Sequence, residues 1–230
     1  MRHHRIDIPH PHISAHIPER IYSRAEIVAD GAIHAVGITG AAAGAGALML
    51  YSAMRGGAAE ITVAAVYLAG LMIMFTASAA NNLWFSAKRR ELLQGLDHAA
   101  IFVMIAGSYT PFFVLLLDFS WALWMTTLVW SVAAAGIVMR LVLPRTFKRY
   151  RVWLYLSMGW IGMAAAWPLM GSLDWPLLTL LAAGGIVYST GVIFHVWTAL
   201  PFQNAIWHAF VLTGASLHYA AVFYGVVYAG

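Results

Sequence analysis

Residues 203–218 read QNAIWHAFVLTGASLH, an apolar helical stretch interrupted by one amide and two imidazoles, Asn204, His208 and His218. Burying such groups in hydrocarbon is costly, so where they persist they face a bundle interior and mark a site or pathway. The surrounding chain shows that hydrocarbon is the medium. Of 230 residues, 62% are hydrophobic and 10% charged, and apolar runs long enough to cross a bilayer, about 20 residues each, recur along the whole length. The chain therefore reads as an all-α integral membrane protein.

The runs fall at roughly 31–54, 60–85, 98–117, 120–143, 152–172, 176–197 and 204–228, predicting a seven-transmembrane helix bundle with short connections. Residues 1–25 form a polar tail and 26–230 the membrane domain. The tail lacks the apolar stretch of a cleavable signal, so the first hydrophobic segment is expected to stay as a membrane helix. It carries His3, His4, His10, His12 and His16, which read as a mobile polar extension, with metal sequestration as the alternative. Of thirteen Lys and Arg residues only Arg55 falls at the opposite end of the bundle from the others. The positive-inside rule then puts the N-terminus in the cytoplasm and the C-terminus outside. A bacterial inner membrane is the expected location. The same clustering explains the pI near 9.5 without nucleic acid. With no cysteine, neither disulfides nor thiolate metal ligands are available. Gly37, Gly40, Gly44 and Gly46 give helix 1 a smooth packing face. Pro176 and Pro201 sit near helix starts, whereas Pro111 and Pro168 lie inside spans and should bend them.

With that orientation, polar side chains from four helices share one depth. Glu26, Asp30 and His34 open helix 1, Ser78 and Asn82 close helix 2, Asp97 and His98 open helix 3, and Asn204 and His208 open helix 7. Residues four apart project from one helical face, and Glu26/Asp30, Asp30/His34, Ser78/Asn82 and Asn204/His208 all have that spacing. His218 lies ten residues beyond His208, roughly 15 Å deeper at 1.5 Å per residue, where Ser108 or Tyr109 is its expected partner. Each position also has a plain reading. Asp30 and Asp97 suit the positive end of a helix dipole, and a lone histidine can be an internal hydrogen-bonding residue. The coincidence in depth favours a site built around Asp97 and His208.

The segments AEIVADGAIHAVG (25–37), LDHAAIFVMIAGSYTPF (96–112), GGIVYSTGVIF (184–194) and NAIWHAFVLTGASLH (204–218) resemble the hemolysin III family. That family is part of the broader PAQR group that includes the adiponectin receptors, and the resemblance runs in order from about residue 20 to the end. It implies seven membrane helices, an intracellular N-terminus and a metal site near the cytoplasmic side. In the adiponectin receptors zinc is held by one His of helix 2 and two of helix 7, with a helix 3 Asp contacting it through water. Those relatives are similar to lipid amidases, ceramidases in particular, in which a zinc-activated water attacks an amide carbonyl.

This sequence departs from the pattern at the ligands. The helix 2 motif, Ser followed four residues later by His, reads SAANN, so Ser78 is present and Asn82 takes the His position. The helix 7 motif reads NAIWH, with Asn204 first and His208 retained. Zinc sites are built from imidazole, thiolate or carboxylate, and an amide oxygen is a weak ligand. The zinc site is thus expected to be degenerate, with Asp97 and His208 as its remaining metal-binding residues, unless His34, His98 or Glu26 rebuilds it with them.

Three functions follow. In the first, the protein acts on or senses membrane lipid or fatty acid through a pocket of Asn82, Asn204, Asp30, His34, His98 and His218. Asp97 is then the base, His208 the acid/base, and Ser78 and the two amides hold carbonyl and water. The second is a zinc-dependent lipid amide hydrolase with a rebuilt site. The third is a small pore or proton pathway. A His208 bonded to Asp97 would also couple the bundle to pH.

Overall fold

The first helix begins earlier than hydropathy predicts because its start is written in polar residues. Ser23 accepts from the Glu26 backbone N–H at 3.2 Å and the Glu26 carboxylate accepts from the Ser23 N–H at 2.8 Å. This reciprocal capping box satisfies two donors that a helix start leaves unpaired. The computed structural model describes residues 22–84, 88–165 and 174–229. They form seven helices: α1 (Arg24–Arg55), α2 (Ala58–Leu83), α3 (Arg90–Leu116), α4 (Phe119–Val142), α5 (Pro144–Ala165), α6 (Trp175–Val196) and α7 (Gln203–Ala229). No strand occurs among the described residues. The tail histidines and Pro168 lie outside them.

The helices α1, α3 and α5 start seven or eight residues before the apolar runs expected at 31, 98 and 152. Hydropathy reports where a helix meets lipid, whereas capped and charged turns continue it into the interface. All helices but α5 are long and apolar enough to cross a membrane, making this a multi-pass membrane protein. The described part of α5 opens on the cationic run RTFKRYR, and the end of its expected span, 166–172, lies outside the described residues. α3 continues through Pro111 to Leu116. Exposed aromatics mark the bundle ends, with Phe119, Trp121 and Trp175 at one and Trp84, Trp197 and Phe202 at the other, as expected of interfacial belts.

α3 is the central element, packed on α2, α4, α5 and α7, while α1 closes the bundle between α2 and α7. Its close approach to α2 depends on two glycines. A Cβ on Gly70 would lie 3.2 Å from the Val103 carbonyl oxygen, and one on Gly107 would lie 3.4 Å from that of Val66. One apolar core, including Leu48, Tyr67, Phe75 and Val222, joins α1, α2, α3 and α7. A second, including Phe102, Val129, Phe147 and Met158, joins α3, α4 and α5. The expected glycine face of α1 is half correct. Gly37 packs on Phe75 and Gly44 on Tyr219, but nothing lies near Gly40 or Gly46.

Candidate metal centre

At the basic end of the bundle, α1 and α7 bring three buried side chains together. Asp30 is 4% exposed, His34 3% and His208 8%. Asp30 and His34 are one turn apart on α1, and α7 delivers His208 from its second turn. His208 Nδ1 lies 2.6 Å from Asp30 Oδ1, and His34 Nε2 lies 3.7 Å from Asp30 Oδ2. The two imidazoles are 4.4 Å apart, centroid to centroid. One ligand atom from each residue falls within 4.8 Å of the others. His34 Nε2 is buried without any hydrogen-bond partner, an arrangement that structures rarely tolerate without a role. Two imidazoles and a carboxylate, with a position left open, also form a donor set used by catalytic zinc sites. The three residues can hold a metal ion.

Around them runs a polar shell. His208 Nε2 is 3.4 Å from Ser78 Oγ on α2. Ser78 is also within hydrogen-bonding reach of the Asp97 carboxylate. Asn82 turns back on its own helix, donating to the Ser78 carbonyl at 2.9 Å, with Ser78 Oγ 3.5 Å away. Asp97 on α3 accepts from Asn81 at 3.0 Å and lies close enough to His208 for their charges to interact. Asn204 accepts from the Tyr22 hydroxyl at 3.4 Å. An apolar cleft of about 150 Å³, lined by Gly37, Gly40, Leu71, Phe75, Leu212 and Tyr219, begins about one turn beyond His34 and His208.

Residues 24–219 match the family described as Haemolysin-III related. The chain belongs to the haemolysin III family. It is 34% identical over 202 residues to the Hemolysin-3 homolog of Bacillus subtilis (strain 168), covering 87% of this chain and 95% of that protein. With Hemolysin-3 of Bacillus cereus it shares 34% over 182 residues, 78% of this chain and 82% of that one. The Monocyte to macrophage differentiation factor of Homo sapiens is 31% identical over 169 residues, 71% and 70% of the two chains. No solved structure matches it significantly.

This haemolysin III chain differs from the sequence expectation at several positions. Among the described residues the converging group is Asp30, His34 and His208 rather than Asp97 with His208, and the carboxylate bonded to His208 is that of Asp30. Glu26 is engaged elsewhere, accepting from the backbone N–H of Phe202 at 2.9 Å, where a φ of 57° turns the chain into α7. His98 faces away from this group, its Nδ1 accepting from Arg140 Nε at 3.2 Å. His218 does not pair with Ser108 or Tyr109. Ser108 donates to the Met104 carbonyl and Tyr109 to carbonyls of α5, while His218 Nε2 lies 3.4 Å from the Leu181 carbonyl in a notch over Gly184. Asn81, which orients Asp97, was missed. Its signal was the first of the two amides in SAANN, one residue before the family's ligand position.

Proposed function

We propose that this haemolysin III protein acts on membrane lipid through a divalent metal held by Asp30, His34 and His208, with an amide carbonyl as the group attacked. The observation that carries the reading is the buried convergence of these three side chains around a His34 nitrogen that makes no hydrogen bond. A zinc ion bound there would polarise a substrate carbonyl and make water acidic near neutral pH. The chain's own residues supply the rest. Asp97, fixed by Asn81, is the carboxylate available to take a proton from water. Ser78 offers a hydroxyl to the substrate oxygen. The apolar cleft between α1, α2 and α7 gives an acyl chain a path from the bilayer. By the distribution of Lys and Arg, this end faces the cytoplasm.

The test is turnover of a ceramide or another N-acyl lipid by purified protein in nanodiscs, with and without zinc. Zinc-dependent release of fatty acid is expected, abolished in Asp97→Ala while bound metal remains. Metal binding without turnover of any N-acyl lipid would reject the hydrolase and leave a lipid-sensing role.

A further inference from the structure

Where α4 and α5 pack on the start of α3 lies a largely buried cation with no ion pair among the described residues. Arg140, in the last turn of α4, is 8% exposed. An arginine at this depth ordinarily extends its head into the interface and keeps it wet. Here the guanidinium is folded inward against α3, with Nη2 in van der Waals reach of the position a Gly95 side chain would take. Its hydrogen bond among the described residues is made through Nε, to His98 Nδ1 at 3.2 Å. Because Nε–H can only donate, His98 accepts through Nδ1 and carries its ring proton on Nε2. A neutral imidazole supplies no negative charge, and it adds a further N–H donor beside the guanidinium.

A second guanidinium adds to the positive charge. Arg151 on α5 and His195 at the end of α6 both act electrostatically on His98. The Tyr155 hydroxyl donates to the His98 carbonyl at 3.1 Å, fixing the start of α3 against α5. Arg151 gives Nη1 to the Lys148 carbonyl at 3.2 Å, which orders its guanidinium without neutralising it. The adjacent carboxylate, Asp97, is turned to Asn81, and no ion pair to Arg140 occurs among the described residues. A buried, unpaired charge is strongly disfavoured. An anion would remove that penalty.

We propose that Arg140, His98, Arg151 and His195 form a binding site for a phosphoryl group at the basic end of α3, α4, α5 and α6, separate from the Asp30, His34 and His208 side chains. A guanidinium presents a planar fork of donors suited to phosphate oxygens. The tetrahedral oxygens of a phosphoryl group reach donors converging from several helices, whereas a planar carboxylate is satisfied by one fork. The ligand is either the headgroup phosphate of an anionic phospholipid or free inorganic phosphate.

The test uses the full-length protein in a neutral detergent. Inorganic phosphate, against chloride at equal ionic strength, and dioctanoyl phosphatidylglycerol are titrated separately while the melting temperature is followed. At least one probe should raise it saturably in wild type and in Arg145→Gln, an exposed cation nearby. The apparent affinity should weaken at least tenfold in Arg140→Gln and Arg151→Gln. A response to phosphatidylglycerol alone assigns the headgroup, and a response to phosphate assigns the free anion. If Arg140→Gln does not fold, Arg151→Gln and His98→Gln carry the comparison. No saturable response in wild type, equal loss in Arg145→Gln, or unchanged affinity in the site variants would each overturn the proposal.

Discussion

The candidate metal centre makes a prediction that separates Asp30, His34 and His208 from the ligand positions that the family resemblance implies. His34→Ala removes an imidazole whose Nε2 has no hydrogen-bond partner, while Asp30 and His208 keep their 2.6 Å contact. The polar network therefore survives, and the change bears mainly on metal. Structural zinc sites are worth about 10–16 kcal/mol. Shared over four ligands, that is about 3 kcal/mol each, or roughly two orders of magnitude in affinity at 1.4 kcal/mol per decade. Zinc affinity in detergent, measured by competition with a chromophoric chelator, should fall about a hundredfold in His34→Ala. Asn204→Ala should stay within about threefold of wild type, because Asn204 bonds to Tyr22 rather than to a ligand, and it is loss of groups bonded to ligands that costs about 10–100-fold. Loss of zinc in Asn204→Ala together with wild-type affinity in His34→Ala would refute the assignment. So would a wild-type protein that takes up no zinc.

Asp30→Asn should destabilise the protein itself, since it takes the charge from a buried contact with His208 and leaves His34 no carboxylate neighbour. A hydrogen bond to a charged group contributes about 1.5–3 kcal/mol, so a melting temperature equal to wild type would mean the network contributes little. Gly184→Ala should cost about 1–3 kcal/mol, because its Cβ would sit 2.2 Å from His218 Cδ2. Gly40→Ala meets nothing within 4 Å and should be close to neutral, so equal melting temperatures for the two would contradict the notch around His218.

Hydropathy made the bundle legible because the bilayer imposes one length and one polarity on every spanning segment. It misplaced the starts of α1, α3 and α5, whose opening turns are polar and charged, with a capping box at α1. At the site, a shared depth was readable from spacing, since Asp30, His34, Ser78, Asp97 and His208 all fall near the basic end. Depth gives no rotation about the helix axis. Asp97 and His98 are consecutive, so about 100° of helical rotation sends one to Asn81 and the other to Arg140. His218 turned to α6 for a similar reason, because the gap at Gly184 admits its ring. Such outcomes depend on which neighbouring helix leaves space, and one chain's periodicity does not carry that information.

The two amides acquire a physical meaning once α1 is included. Asn82 and Asn204 stand where the adiponectin receptors, by resemblance, place imidazoles on α2 and α7, yet here each hydrogen-bonds to protein. The donors have not disappeared from the bundle. α1 brings a carboxylate and an imidazole, one turn apart, against the retained His208. A centre with two donors from α1 and one from α7 depends on the packing of α1 against α7, which Glu26 supports by accepting from both Ser23 and Phe202. An α1 that moved away from α7 would withdraw two donors together. A metal held by these three residues would therefore have its affinity tied to closure of the α1–α7 seam, and opening that seam would loosen it.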